Sequence, residues 1–353
     1  MSLYSNELYL EDVKRVSGSD LPWEKLSGKS ILLSGSTGLL GSFLVDVLMQ
    51  KKTEGLNCLI YALGRNEDKA KERFSKWWGD PKLKFLHYDV NKPFVRDDID
   101  VVDFVAHLAS NTHPMQYSTD PIGTITTNII GLGNMLDFAV AHKTERFAFA
   151  SSNEVYGENR GDAELFDEDY CGYINSNTLR AGYPESKRCG EALCQAYKSQ
   201  KGLDIVIPRF TRSYGPTMLL TDTKAISQFI RKGINAEDIV LKSAGTQNYS
   251  YTYMADAISG FLTVLLKGEN GEAYNISDEA SNITLKDLAG IIAEHVGKKV
   301  VFEIPDAVEA AGYSKATKAL LDGSKLKALG FRPFYSISEG IPRTIDILRE
   351  IGR

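Results

Sequence analysis

Tyr183 and Lys187 stand four residues apart in the segment Tyr183-Pro184-Glu185-Ser186-Lys187. On a helix that spacing puts both on one face. An ammonium one turn from a phenol lowers the phenol's pKa, so a group that titrates near 10 in water exchanges a proton at neutral pH. Upstream, Ala150-Ser151-Ser152-Asn153-Glu154-Val155-Tyr156-Gly157 brings hydroxyls and a carboxylate. Ser152 is suited to hydrogen-bond a reacting hydroxyl or carbonyl; the plainer role for Ser151 and Ser152 is to cap a turn. Glu154 reads as a general acid or base, or as a surface carboxylate.

A second group is suited to phosphate. In Gly35-Ser36-Thr37-Gly38-Leu39-Leu40-Gly41, glycines let backbone N–H groups approach a pyrophosphate, and the N-terminus of the helix that follows adds its positive dipole end. The spacing is GxxGxxG rather than GxGxxG, and it points to a dinucleotide rather than a bare strand–helix turn. The next strand ends in Leu63-Gly64-Arg65-Asn66, without the acid that would bind the 2′-hydroxyl of NAD. Arg65 favours the 2′-phosphate of NADP; the alternative is a solvated arginine at a strand end. Asp89, in His87-Tyr88-Asp89-Val90, is placed to accept from the adenine amino group, or to cap the next turn.

The elements that must hold these groups alternate. Strands are expected at 30–34, 59–63, 83–87, 102–108, 146–151 and 204–209, with helices at 39–49, 68–78, 122–141 and 183–199. That rhythm predicts an α/β fold: a doubly wound, Rossmann-type parallel sheet with helices on both faces. Residues 1–28 read as an N-terminal arm, with a short amphipathic helix over 8–16 and Trp23 buried as an anchor. Residues 29–215 form the dinucleotide-binding domain, with 239–268 assigned to it as well. Residues 216–353 form a smaller mixed α/β lobe that binds substrate, with helices at 225–231, 255–266 and 285–295 and strands at 239–242, 273–276 and 300–302.

Composition narrows the function. The chain has 353 residues, with 43% hydrophobic and 25% charged, enough apolar material for a large core. Lys+Arg is 41 and Asp+Glu is 46, a net charge of −5, which disfavours non-specific nucleic-acid binding. No apolar run is long enough to cross a membrane, and the start has acids early and no signal-like apolar stretch. A cytoplasmic protein is expected. Cys58, Cys171, Cys189 and Cys194 make no disulfide framework. His87, His107, His113, His142 and His295 show no zinc-binding spacing, and no metal is expected.

The ordered motifs GSTGLLG, HLAS (107–110), TNIIG (127–131), SSNEVYG, YPESK and RFTRSYGP (209–216) together resemble the extended short-chain dehydrogenase/reductase family of sugar-nucleotide epimerases, dehydratases and decarboxylases. Within it the pattern is most similar to the UDP-glucuronate decarboxylases. The resemblance implies that Val90, Leu108, Ala109, Ser110, Asn128 and Phe210 join the glycine loop, Tyr183 and Lys187 around NAD or NADP. It implies that Ser110, Asn153, Glu154, Arg212 and Tyr249 face a nucleotide-activated sugar. Tyr183 would remove a sugar hydroxyl proton while hydride leaves, Ser152 would steady that oxygen, and Lys187 would tune Tyr183. A homodimer through helices 122–141 and 183–199 is implied too. Three departures matter. Asn153-Glu154 lacks the dehydratases' first acid. Gln247-Asn248-Tyr249 lacks the decarboxylases' arginine. Arg212 stands where the family has asparagine, and either replaces that lost charge or forms a structural ion pair. The best single expectation is decarboxylation of a hexuronic acid by transient oxidation. Net NADPH-dependent reduction of a nucleotide-linked ketose and a non-catalytic dinucleotide-binding scaffold are the alternatives.

Overall fold

The computed structural model describes residues 2–112, 114–219, 221–303 and 317–353. His113, Leu220 and residues 304–316 of the C-terminal lobe lie outside them. The elements run α1 (Glu7–Ser17), β1 (Ser30–Ser34), α2 (Leu39–Thr53), β2 (Leu59–Gly64), α3 (Glu67–Arg73), β3 (Leu83–His87), β4 (Phe104–His107), α4 (Pro114–Thr119), α5 (Pro121–Ala141), β5 (Arg146–Phe149), β6 (Ser151–Ser152), α6 (Gly182–Lys201), β7 (Ile205–Phe210) and β8 (Arg212–Tyr214). They continue with α7 (Ala225–Ile234), β9 (Ile239–Leu241), β10 (Asn248–Tyr253), α8 (Met254–Lys267), β11 (Ala273–Ile276), β12 (Asn282–Thr284), α9 (Leu285–His295), β13 (Val300–Phe302), β14 (Lys318–Ala319) and a C-terminal helix, Ile337–Glu350.

The main sheet has the order β11-β7-β5-β4-β1-β2-β3, with β6 beside β7, and all its pairings are parallel. This is the Rossmann-type sheet expected from the alternation. Successive residues of a strand face opposite sides. Accordingly Ile31 and Leu33 enter one core with Phe43, Leu44 and Phe261, while Leu32 enters the other with Leu132, Met135 and Leu136. Both faces of β1 are therefore dry, which is why it reads as an unbroken apolar run. The chain order reverses between β1 and β4, and a crevice opens there beyond the carboxyl ends of the strands.

Residues 239–268 add no strand to this sheet. Instead β9 pairs with β13, β11 extends the sheet beside β7, and α8 packs on α2 and β7. The helix expected to reach Trp78 ends at Arg73, because the chain beyond it turns to bury Phe74 and Trp77. The strand Asn248–Tyr253 was not expected. It carries tyrosines at 249, 251 and 253, a period-two signal. It binds β12 and β14, and on β8 it brings Tyr251 opposite Arg212. Arm residue Trp23 is buried and donates its indole N–H to the Ser19 carbonyl at 3.0 Å.

Candidate active site

The glycine loop is built for close approach. Gly35 has φ 70°, in the left-handed region that glycine enters without a steric cost. A Cβ there would lie 2.8 Å from the Ala109 nitrogen, and one on Gly41 would lie 2.3 Å from the Gly35 carbonyl oxygen. The loop must therefore stay bare of side chains. Gly38 is the N-cap of α2 and makes no side-chain cap, and the first N–H groups of a helix have no partner within it. Leu39 and Leu40 open onto the cleft, while Ser36 is buried and ties the loop to the Leu63 carbonyl at 3.0 Å. These features fit a dinucleotide diphosphate.

A cleft of about 1010 Å³ runs from this loop across the strand ends to β9 and β10. It collects Gly35, Gly38, Leu39, Leu40, Gly41, Leu108, Ser110, Ser152, Asn153, Glu154, Tyr183, Lys187, Phe210, Arg212 and Tyr249. Ser36, Thr37, Arg65, Asp89, Val90, Ala109 and Asn128, also expected at the site, do not line it. Asn128 is fully buried, accepting from Ser110 Oγ at 2.7 Å and donating to Ser186 Oγ at 2.9 Å. It fixes Ser110 and the first turn of α6 from below. Asp89 accepts from the Asn91 N–H at 3.0 Å, the turn-capping role. Val90 is buried, and Arg65 is exposed at the end of β2.

The α6 face carries Tyr183, Lys187 and Glu191, four residues apart. Ser151 Oγ donates to Glu191 at 2.5 Å, and Arg209 grips the same carboxylate through both Nε (3.0 Å) and Nη2 (2.7 Å). Lys187 Nζ donates to the Ala150 carbonyl at 2.7 Å and stands 5.9 Å from the Tyr183 ring centre. Burial pulls the Lys187 pKa down to about 7, with Glu191 opposing the fall. The Tyr183 phenol moves opposite to expectation: burial and then the Glu154 carboxylate raise its pKa, while Ser152, Arg180 and Ser110 draw it down. Lys187 is not among the groups that draw it down; its ammonium is directed to the Ala150 carbonyl instead. Ser152 Oγ caps its own turn by accepting from the Glu154 N–H at 3.3 Å, yet still faces the cleft.

Two groups at the mouth were not foreseen. The Tyr117 ring stacks on Tyr183, with centres 4.9 Å apart. Arg180 lies over Tyr117 and grips Glu154 through two nitrogens, each at 2.8 Å. Arg180 is three residues ahead of Tyr183, and no spacing rule pairs it with Glu154. Arg212 stacks on Tyr249, its guanidinium carbon 3.7 Å from the ring centre. The Asn153 carboxamide, with its oxygen toward Arg212, accepts from Nη1 at 3.1 Å. An arginine and a tyrosine thus touch across β8 and β10.

A profile of the NAD dependent epimerase/dehydratase family matches residues 31–277. The chain belongs to that family. It is 32% identical over 317 residues to UDP-glucuronic acid decarboxylase 5 of Arabidopsis thaliana, covering 90% of this chain and 88% of that one. It is 30% identical to UDP-glucuronic acid decarboxylase 1 of Xenopus tropicalis, covering 91% and 72%. Among solved structures, a dTDP-glucose 4,6-dehydratase from Streptomyces venezuelae with NAD bound superposes with TM-score 0.77 at 25% identity, over 91% of this chain and 97% of that one. This is an NAD-dependent enzyme family that acts on nucleotide sugars. No helix among the described residues is long and apolar enough to cross a membrane.

His107, at the end of β4, is fully buried against Phe149 and bonded to Ser34 Oγ through Nδ1 at 2.7 Å. Burial, then Lys187, pulls its pKa to about 3. Its unfolded value is near 6.5, so the unfolded chain binds the extra proton first, and stability falls as pH drops through 6.5 toward 3. Unfolding free energies from denaturant titrations between pH 7 and 4 should fall by up to about 1.4 kcal/mol per pH unit from this group. His107→Gln should flatten that slope.

Proposed function

We propose that the chain decarboxylates a UDP-hexuronic acid by transient oxidation of a ring hydroxyl. The observation that carries this reading is the charge of the cleft. Arg180, Lys187, Arg212, Lys224 and Lys242 line it, and Glu154 is the one acid among its described lining residues. A nucleotide diphosphate that also bears a carboxylate matches that excess better than a neutral sugar does. The curated relatives above are decarboxylases of such a compound.

Bound nicotinamide dinucleotide would supply the hydride acceptor and return the hydride at the end. The glycine loop binds its diphosphate. Tyr183 Oη takes the hydroxyl proton as the ring carbon becomes a ketone, and gives it back at the close. Ser152 donates to that oxygen, and Lys187, anchored on Ala150, holds the Tyr183 face of α6 in register. A ketone β to the carboxylate permits loss of CO₂, with the electron pair left on the ring carbon for reprotonation. Arg212, fixed by Tyr249 and Asn153, binds an anionic group of the substrate. Arg212→Ala should raise the substrate KM about tenfold or more and leave dinucleotide affinity intact; an unchanged KM would remove Arg212 from the site.

The finer assignments belong to the same proposal. Exposed Arg65, with no acid at the end of β2, supports NADP. Ile122, Ile125 and Ile130, exposed at 76%, 38% and 50% along α5, support a homodimer through α5 and α6. The deciding experiment incubates the protein with UDP-, dTDP-, CDP- and GDP-sugars and identifies products by mass spectrometry and the bound dinucleotide after denaturation. Loss of CO₂ from UDP-glucuronate with absorbance at 340 nm unchanged over full turnover supports the reading. A fall at 340 nm with a polyol product replaces it by net reduction.

A further inference from the structure

The cleft holds two opposite charges paired beside the Tyr117–Tyr183 stack. Glu154 sits on the turn that follows β6, and Arg180 on the turn that enters α6. The guanidinium meets the carboxylate with two parallel bonds of 2.8 Å, the fork geometry that favours carboxylates over other anions. The Arg180 side chain is 51% exposed and Glu154 25%. The pair is therefore open to exchange, and exposed pairs of this kind are weak. Tyr117 lies against Arg180 on one side and stacks in turn on Tyr183. An arginine with the geometry to recognise a planar carboxylate thus stands on the far side of Tyr117 from the phenol, occupied by a carboxylate of the chain itself.

We propose that Arg180 is the receptor for the substrate's sugar carboxylate and that Glu154 is its internal competitor. The arriving carboxylate takes the fork, and Glu154 is released beside Tyr183 as a free anion. No bond is made or broken in this step; one ion pair replaces another. The exchange ties release of the carboxylate next to the phenol to the presence of an acidic sugar. A neutral sugar leaves Glu154 clamped, so Arg180 sets specificity for uronic acids. This rests on the uronate reading above and names the residue that enforces it.

Binding of UDP-glucuronate and UDP-glucose is to be measured by calorimetry on dinucleotide-loaded protein, for the wild type, Arg180→Ala, Glu154→Gln and the double variant. Arg180→Ala should weaken UDP-glucuronate by about tenfold or more and move UDP-glucose by less than about threefold. Glu154→Gln should tighten UDP-glucuronate by about two- to fivefold, since the competitor is gone. That gain should vanish when Arg180 is also alanine. If it persists there, Glu154 acts only as a general repulsive charge and the proposal is overturned. Equal losses for both ligands in Arg180→Ala, or recovery of uronate affinity in the double variant, overturn it too, since Arg180 would then merely neutralise Glu154. Folding is checked by UDP-glucose binding itself. Failure of the wild type to convert UDP-glucuronate while these binding differences hold would instead sink the decarboxylase assignment alone.

Discussion

Tyr183→Phe should lower kcat by a factor of about 10² to 10⁴ while leaving the denaturation midpoint and dinucleotide affinity close to those of the wild type. The substitution removes one oxygen and keeps the ring that stacks on Tyr117 and closes the first turn of α6. The phenol is nine-tenths shielded or more and sits among Ser152, Ser110 and Glu154. Water is a poor substitute for it there, so the lost proton transfer is not recovered from solvent. Burial and then Glu154 raise this phenol's pKa above its ordinary value. Serine at 152 offers the second hydroxyl, and Ser152→Ala should therefore cost less than Tyr183→Phe. Steady-state rates and thermal midpoints on the same preparations check this. A variant that keeps a tenth of the rate would place proton transfer elsewhere.

Much of this arrangement is legible in the sequence because it depends on local rules. The apolar run Ser30–Ser34, the glycines after it and the periodic helix beyond specify a strand–loop–helix unit, and the fold follows from its repetition. Tyr183 and Lys187 sit on one helical face by arithmetic alone. Spacing does not report burial, however. It misplaces the electrostatics of the pair, since Lys187 turns to the Ala150 carbonyl and burial lowers its pKa. Nor does it report contacts between distant turns: the grip of Arg180 on Glu154 needs the turn after β6 to meet the turn that enters α6, and the seat of Arg212 on Tyr249 needs β8 and β10 side by side. Asn128 shows the converse. Its motif leads to the site, but its carboxamide works underneath, joining Ser110 to Ser186. The strand Asn248–Tyr253 escapes notice because its alternating tyrosines lie among polar residues that are themselves buried.

Asp46→Ala should destabilise the protein by about 3–5 kcal/mol, the cost of stranding a buried charge. Asp46 lies within α2, the helix that the glycine loop opens, and is 1% exposed. It accepts from Tyr4 Oη at 2.8 Å, Tyr9 Oη at 2.5 Å, Arg73 Nη2 at 2.6 Å and Trp77 Nε1 at 2.9 Å. Removing the carboxylate leaves a buried guanidinium with two phenols and no counter-charge. Arg73→Met added to Asp46→Leu should recover part of the loss, because no unpaired ion then remains inside; equal losses in the single and double variants would mean that packing, not charge, dominates. The network reaches beyond α2. The same arm places Asp12 against Arg343 at 2.7 Å and Tyr253 Oη at 2.6 Å, so one short helix fastens the glycine-loop helix to the strand that carries Tyr249. Weakening its anchor at Asp46 should therefore loosen the two walls of the cleft relative to each other. Affinity for dinucleotide and for nucleotide sugar should fall together, well below the denaturant concentration that unfolds the sheet, and titrating both ligands in subdenaturing urea separates that outcome from simple global unfolding.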